Sequence, residues 1–122
     1  MKRVELNEDL YDQMIEETSD DPLYMVPEEL VHLIPAFLQR REMDVQELGE
    51  FLRRREFEGV RMIGHRLKGM GTGYGFPIVT EIGRDLEAAA NDSSAARVQS
   101  SIEKLSTFNV GLKMLLTRNS DD

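Results

Sequence analysis

The stretch Val60-Arg61-Met62-Ile63-Gly64-His65-Arg66-Leu67-Lys68-Gly69-Met70-Gly71-Thr72-Gly73-Tyr74 decides how this chain is read. Val60, Ile63, Leu67, Met70 and Tyr74 recur at spacings of three and four, the period of one buried helix face. His65 projects away from that seam. One turn further on stand Lys68, a cation, and Gly69, which has no side chain to crowd an imidazole. Packing accounts poorly for an exposed ring beside a cation and a gap.

The same period extends outward in both directions. The His65 helix is expected from about Glu56 to Gly73. Before it, a helical region runs from about Pro27 to Arg54, where Pro27 suits a helix start and Glu28 and Glu29 a first turn. Pro35 falls inside that pattern and is expected to kink or split it near Ile34. Ile34, Leu38, Val45, Leu48 and Leu52 form its stripe, with Phe37 and Phe51 beside it. After it, Pro77 to Ala90 turns Ile78, Ile82, Leu86 and Ala89 inward, and Asn91-Asp92-Ser93-Ser94 ends it. A last helix spans about Ser94 to Thr117, capped by Ser94, with Val98, Ile102, Leu105, Leu112 and Leu115 or Leu116 inward. Alternation with period two is scarce, so the chain is all-α. Short connections make successive helices antiparallel, which gives an up-down-up-down four-helix bundle over residues 27–117. Residues 118–122 form a tail. Residues 1–26 are an acidic extension, with a short helix from Asn7 to about Thr18 on Leu6, Leu10 and Met14, broken by Ser19-Asp20-Asp21-Pro22. No internal repeat of 20–50 residues is visible.

Composition narrows the function. The net charge of −8 belongs to the ends: residues 1–26 carry eight acidic and two basic side chains, Asp121 and Asp122 add two more acids, and 27–120 is neutral. Without a basic excess, nucleic-acid binding is not expected. There are no cysteines, so disulfides and thiolate metal sites are excluded. No apolar run approaches the ~20 residues of a membrane span, and Lys2 and Arg3 precede no apolar signal core. A cytoplasmic location without membrane association is the expectation. The two histidines, His32 and His65, show no di-iron Glu-x-x-His pairing, and His32 reads as an ordinary surface or boundary residue. The glycines from Gly69 to Gly75 suggest a phosphate-cradling loop, but no strand precedes them and neither Gly-Lys-Ser/Thr nor G-x-G-x-x-G is present. They fit close helix approach and room for a partner better, with Gly75 past the helix end.

His65, Leu67, Lys68, Gly69 and Gly75 resemble the pattern of the histidine-containing phosphotransfer (HPt) domain family: a phosphorylatable histidine, then an apolar residue two later, a lysine three later, and glycines four and ten later. Phe76 to Glu87, ending Ile82-Gly83-Arg84-Asp85-Leu86-Glu87, is similar to the family's next helix. The resemblance covers about residues 27–117. It implies a phosphohistidine at His65, phosphoryl contacts from Lys68, and orientation of the ring by Glu87. It also implies response-regulator receiver domains as partners, with a hybrid histidine kinase as another, and Mg²⁺ and catalytic acids supplied by the receiver. No cofactor is expected on this chain.

These residue types suit that chemistry. A neutral imidazole nitrogen is a nucleophile near cytoplasmic pH. Lys68 supplies a mobile point charge, and Arg61, Arg66 and Arg84 add positive field. Docking is expected around Arg61, Gly64, Arg66, Gly69, Thr72 and Arg84, with Met62 or Met70 where exposed. A monomer suffices, and the chain is a phosphocarrier rather than an enzyme. The alternative is a bundle that docks on and inhibits a receiver or kinase without carrying phosphate. A weaker one is a phosphotransfer domain belonging to a larger chemotaxis-type kinase. A metabolic enzyme is least expected, since no acid–base pair or cofactor motif appears.

Overall fold

A computed structural model describes residues 4–5, 25–26, 31–71, 73 and 76–120, with side chains for 31–71, 73 and 76–116. Most of these residues lie in four helices: α1 (Ile34–Arg53), α2 (Phe57–Met70), α3 (Pro77–Asn91) and α4 (Ala95–Ser120). Helix α2 packs on α3, α3 on α4, α4 on α1 and α1 on α2, so each has two neighbours and the packing fits a bundle. No helix among the described residues is long and apolar enough to cross a membrane.

The stripes read from the sequence form the core. Val60, Ile63 and Leu67 of α2, Ile78, Ile82, Leu86 and Ala89 of α3, and Val98, Ile102, Leu105, Leu112 and Leu115 of α4 are all buried. Each of the larger side chains contributes roughly 2 kcal/mol by leaving water. The centre is an aromatic stack: Phe76 lies 5.4 Å from Phe37 of α1 and edge-on to Phe108 of α4 at 5.2 Å. Phe76 precedes α3 and is itself buried, so the α2–α3 connection is pinned to the core at its far end.

Several boundaries differ from expectation. The continuous helix α1 begins at Ile34, preceded by a helical Val31 and a turn at residues 32–33, while residues 27–30 of the expected helical region lie outside the described residues. Pro35 sits in the first turn of α1, and the turn at residues 32–33 divides α1 from the helical Val31, in line with the split expected near Ile34. A proline there loses no helical hydrogen bond, because that N–H has no intrahelical acceptor. Helix α2 ends at Met70 rather than Gly73: the chain turns back, and Phe76 N–H bonds Gly71 O at 2.9 Å. Helix α4 continues through Ser120, so residues 118–120 are helical rather than tail. Ser94 caps it as expected, its Oγ accepting from Arg97 N–H at 3.3 Å. The short helix expected over Asn7–Thr18 lies outside the described residues. An unforeseen two-residue antiparallel pairing joins β1 (Val4–Glu5) to β2 (Met25–Val26), and β1 touches α4.

Two of the connections share one device. After α1, Glu56 N–H bonds Phe51 O and Arg55 N–H bonds Leu52 O; after α3, Ser94 N–H bonds Ala89 O and Ser93 N–H bonds Ala90 O. Both are Schellman closures, which place one residue in the left-handed region where glycine is usual. Here Arg55 (φ 56°) and Ser93 (φ 50°) occupy it. Relieving the Cβ clash, Arg55→Gly should raise stability by about 1 kcal/mol, seen as a higher urea midpoint with an unchanged m value.

Candidate functional site

The site is built where α2 and α3 come closest. Two glycines in the helix interiors set that distance. A Cβ on Gly64 would lie 2.8 Å from Gly83 O and 2.9 Å from Glu87 N; a Cβ on Gly83 would lie 2.6 Å from Gly64 O and collide with Lys68 N. The backbones touch because neither residue has a side chain. Gly64 is thus buried between helices and is not part of a docking surface, which corrects the expectation drawn from its place beside His65. Gly83 went unassigned in the sequence. Its signal was a glycine inside a helix, one turn before Glu87.

With the helices this close, side chains from both reach one another. His65 Nδ1 lies 2.9 Å from Glu87 Oε2, and Lys68 Nζ lies 2.7 Å from Glu87 Oε1. The ring is 67% exposed while Glu87 is 17% exposed, so the carboxylate sits low in the groove and the imidazole stands above it. An ionised carboxylate only accepts hydrogen bonds. A neutral ring therefore carries its proton on Nδ1, donates it to Glu87, and keeps a lone pair on Nε2. Nε2 has no partner among the described residues. The Lys68 hydrogen bond, and after it that of His65, hold the Glu87 carboxyl below its ordinary value of 4.5 against the opposing effect of burial.

The surrounding groups are placed as follows. Gly69 is exposed, and a Cβ there would meet nothing within 4 Å. Arg61 is paired on its own helix with Glu58 at 2.7 Å, which raises its pKa further through that hydrogen bond and charge. Arg84 is likewise paired with Glu81 at 2.7 Å. Arg66 turns to α1, its Nη2 donating to Asp44 Oδ1 at 3.0 Å. The three arginines are each held by an acid of the chain, so the free positive field beside His65 is smaller than their number suggests. Met62 is exposed and Met70 half-buried. Thr72, Tyr74 and Gly75 lie outside the described residues. No group of three or more potential metal-ligating side chains occurs among the described residues.

The sequence reading also missed the support beneath Arg66. Asp44 is fully buried and accepts from both Arg66 and the buried Arg41, whose Nε lies 2.7 Å away. Arg41 and Asp44 lie on the inward side of α1. The signal was present: position 41 is the gap in the run Ile34, Leu38, Val45, Leu48, Leu52.

Compared with known proteins, the chain matches no family model, no curated protein and no solved structure.

Gly83→Ala should cost about 2 kcal/mol by forcing the helices apart, while Gly69→Ala should be neutral or stabilising by up to about 1 kcal/mol; denaturant unfolding of the two variants checks the contrast. Because the folded pKa of Glu87 is depressed, its contribution to stability is complete above the unfolded value and lost as pH falls through the folded one. Wild type should therefore exceed Glu87→Gln in stability at pH 7, with the gap closing as the pH falls below the ordinary carboxyl value of 4.5 and through the depressed one, as followed by unfolding across an acid series.

Proposed function

We propose that the chain is a phosphorelay carrier of the HPt type, taking a phosphoryl group on His65 from the phosphoaspartate of a response-regulator receiver and passing it to another receiver. The observation that supports this best is the His65–Glu87 contact: it fixes the tautomer and leaves Nε2 as a nucleophile on an exposed helix face. A histidine kept for packing or solubility has no need of a buried-side carboxylate oriented by a second cation.

In the forward step the Nε2 lone pair attacks phosphorus in line. The N–P bond forms as the P–O bond to the receiver's aspartate breaks, and the electron pair leaves on that carboxylate. Nδ1 keeps its proton, so the ring becomes cationic and Glu87 balances the new charge. Lys68, one turn along, exchanges its contact with Glu87 for the phosphoryl oxygens. Mg²⁺ and the acidic residues that bind it belong to the receiver, so this chain contributes nucleophile and positioning. The reverse of the same step loads the second receiver. Gly69 fits this reading, because a helix glycine that nothing in the fold requires makes room for an approaching surface. We read the bundle as up-down-up-down and the protein as a cytoplasmic monomer, in keeping with a modest, transient interface.

Incubation with a phosphorylated receiver should transfer label to this chain in an acid-labile, alkali-stable form, and His65→Gln should abolish it. Undiminished labelling of that variant overturns the assignment, and a stable stoichiometric complex without phosphohistidine replaces it with an inhibitory docking module. Glu87→Ala should slow transfer by at least about 10-fold, the scale of an orienting partner's loss. Lys68→Ala and Gly69→Ala should slow it while circular dichroism stays unchanged.

A further inference from the structure

Between α1 and α2, one residue beyond His65, lies a cleft of about 480 Å³ that the relay chemistry does not use. That is a normal size for a small-molecule site. Its apolar wall is Leu33, Phe37 and Met70, and its charged lining is Arg40, Arg41 and Arg66 against a single carboxylate, Glu47. From these observations we propose that the cleft binds a small amphipathic monoanion, a carboxylate on an aromatic or short aliphatic body.

Arg41 carries the argument. It is only 2% exposed, yet it lines the cleft. Its Nε is taken by Asp44, its Nη1 donates to the Met70 thioether, and its Cζ lies over the Phe37 ring, 4.9 Å from the centre. A thioether is a weak acceptor, and Nη2 has no partner among the described residues. Among the described residues no Arg41 nitrogen is both sealed from solvent and without a partner, so the open donor faces the cleft that Arg41 lines, and a planar oxyanion is the group whose geometry fills it. Arg40 also has no partner among the described residues and lies within the same lining. Counting Asp44 beneath them, the three arginines and two acids leave one net positive charge, which matches a single carboxylate. The apolar wall, with Leu33 among the exposed large hydrophobic residues, favours a body over a bare ion.

The test uses the full-length, unphosphorylated chain labelled for NMR, with 2-naphthoate as probe and the neutral 2-naphthamide as control. Naphthoate should give saturable shifts centred on Phe37, Arg41, Arg66 and the Met70 methyl, with naphthamide weaker by about 10-fold or more, the scale of a charge-assisted hydrogen bond. Arg40→Gln should weaken naphthoate by about 3-fold, as for an exposed ion pair, without disturbing the rest of the spectrum. Shifts that fail to saturate, that scatter over other faces, or that are equal for acid and amide overturn the proposal. The readout involves no phosphate transfer, so its failure and that of the relay reading are separable.

Discussion

The contact between Gly64 and Gly83 is the constraint on which the rest depends. Side chains of ordinary size hold packed helices 8–10 Å apart. At that separation a carboxylate low on α3 and an imidazole on the outer side of α2 meet only if their helices close in. The two glycines remove the spacers at one level of the interface, and Glu87, one turn beyond Gly83, then comes within hydrogen-bonding distance of both His65 and Lys68. The interaction of interest is polar and exposed, but what positions it is steric and buried.

A second support acts from the other side. Asp44 is a charge with no exposure, tolerated because two guanidinium groups share it. Burying such a cluster gains little net stability compared with apolar packing, whereas breaking it by removing one partner is expensive. Its structural effect is directional. It ties α2 to α1 through Arg66, next to His65, and limits how α2 rotates about its own axis. The ring is thus presented by a helix held on two flanks, by backbone contact with α3 and by an ion pair with α1.

Much of this was readable from side-chain type and spacing. The stripe of α2 as far as Leu67 and those of α3 and α4 are the buried faces, Pro77 and Ser94 mark helix starts, and His65 stands off the seam as its register requires. Other features were not readable, for identifiable reasons. Pro35 is compatible with a kink and with a split, and it is the turn at residues 32–33 that separates the two. Arg55 and Ser93 adopt a backbone conformation that glycine normally signals, so no residue type announced it. Gly64 and Gly83 each look like a helix weakness until the register between two helices is known, and that register is a tertiary fact. Arg41 and Asp44 interrupt an otherwise apolar face, and only the three-dimensional arrangement shows that they satisfy each other.

One property of the α2–α3 pair reaches beyond geometry. The imidazole, the carboxylate and the ammonium all lie on two consecutive helices, and His65 and Glu87 are 22 positions apart in the chain. Closing so short a loop costs little entropy. A site written into one hairpin is also portable: recombination, or a designer's graft, that moved residues 57–91 would carry the whole constellation as a cassette. The new host would have to supply a partner for Arg66 and cover for the apolar faces and Phe76 that α1 and α4 bury here.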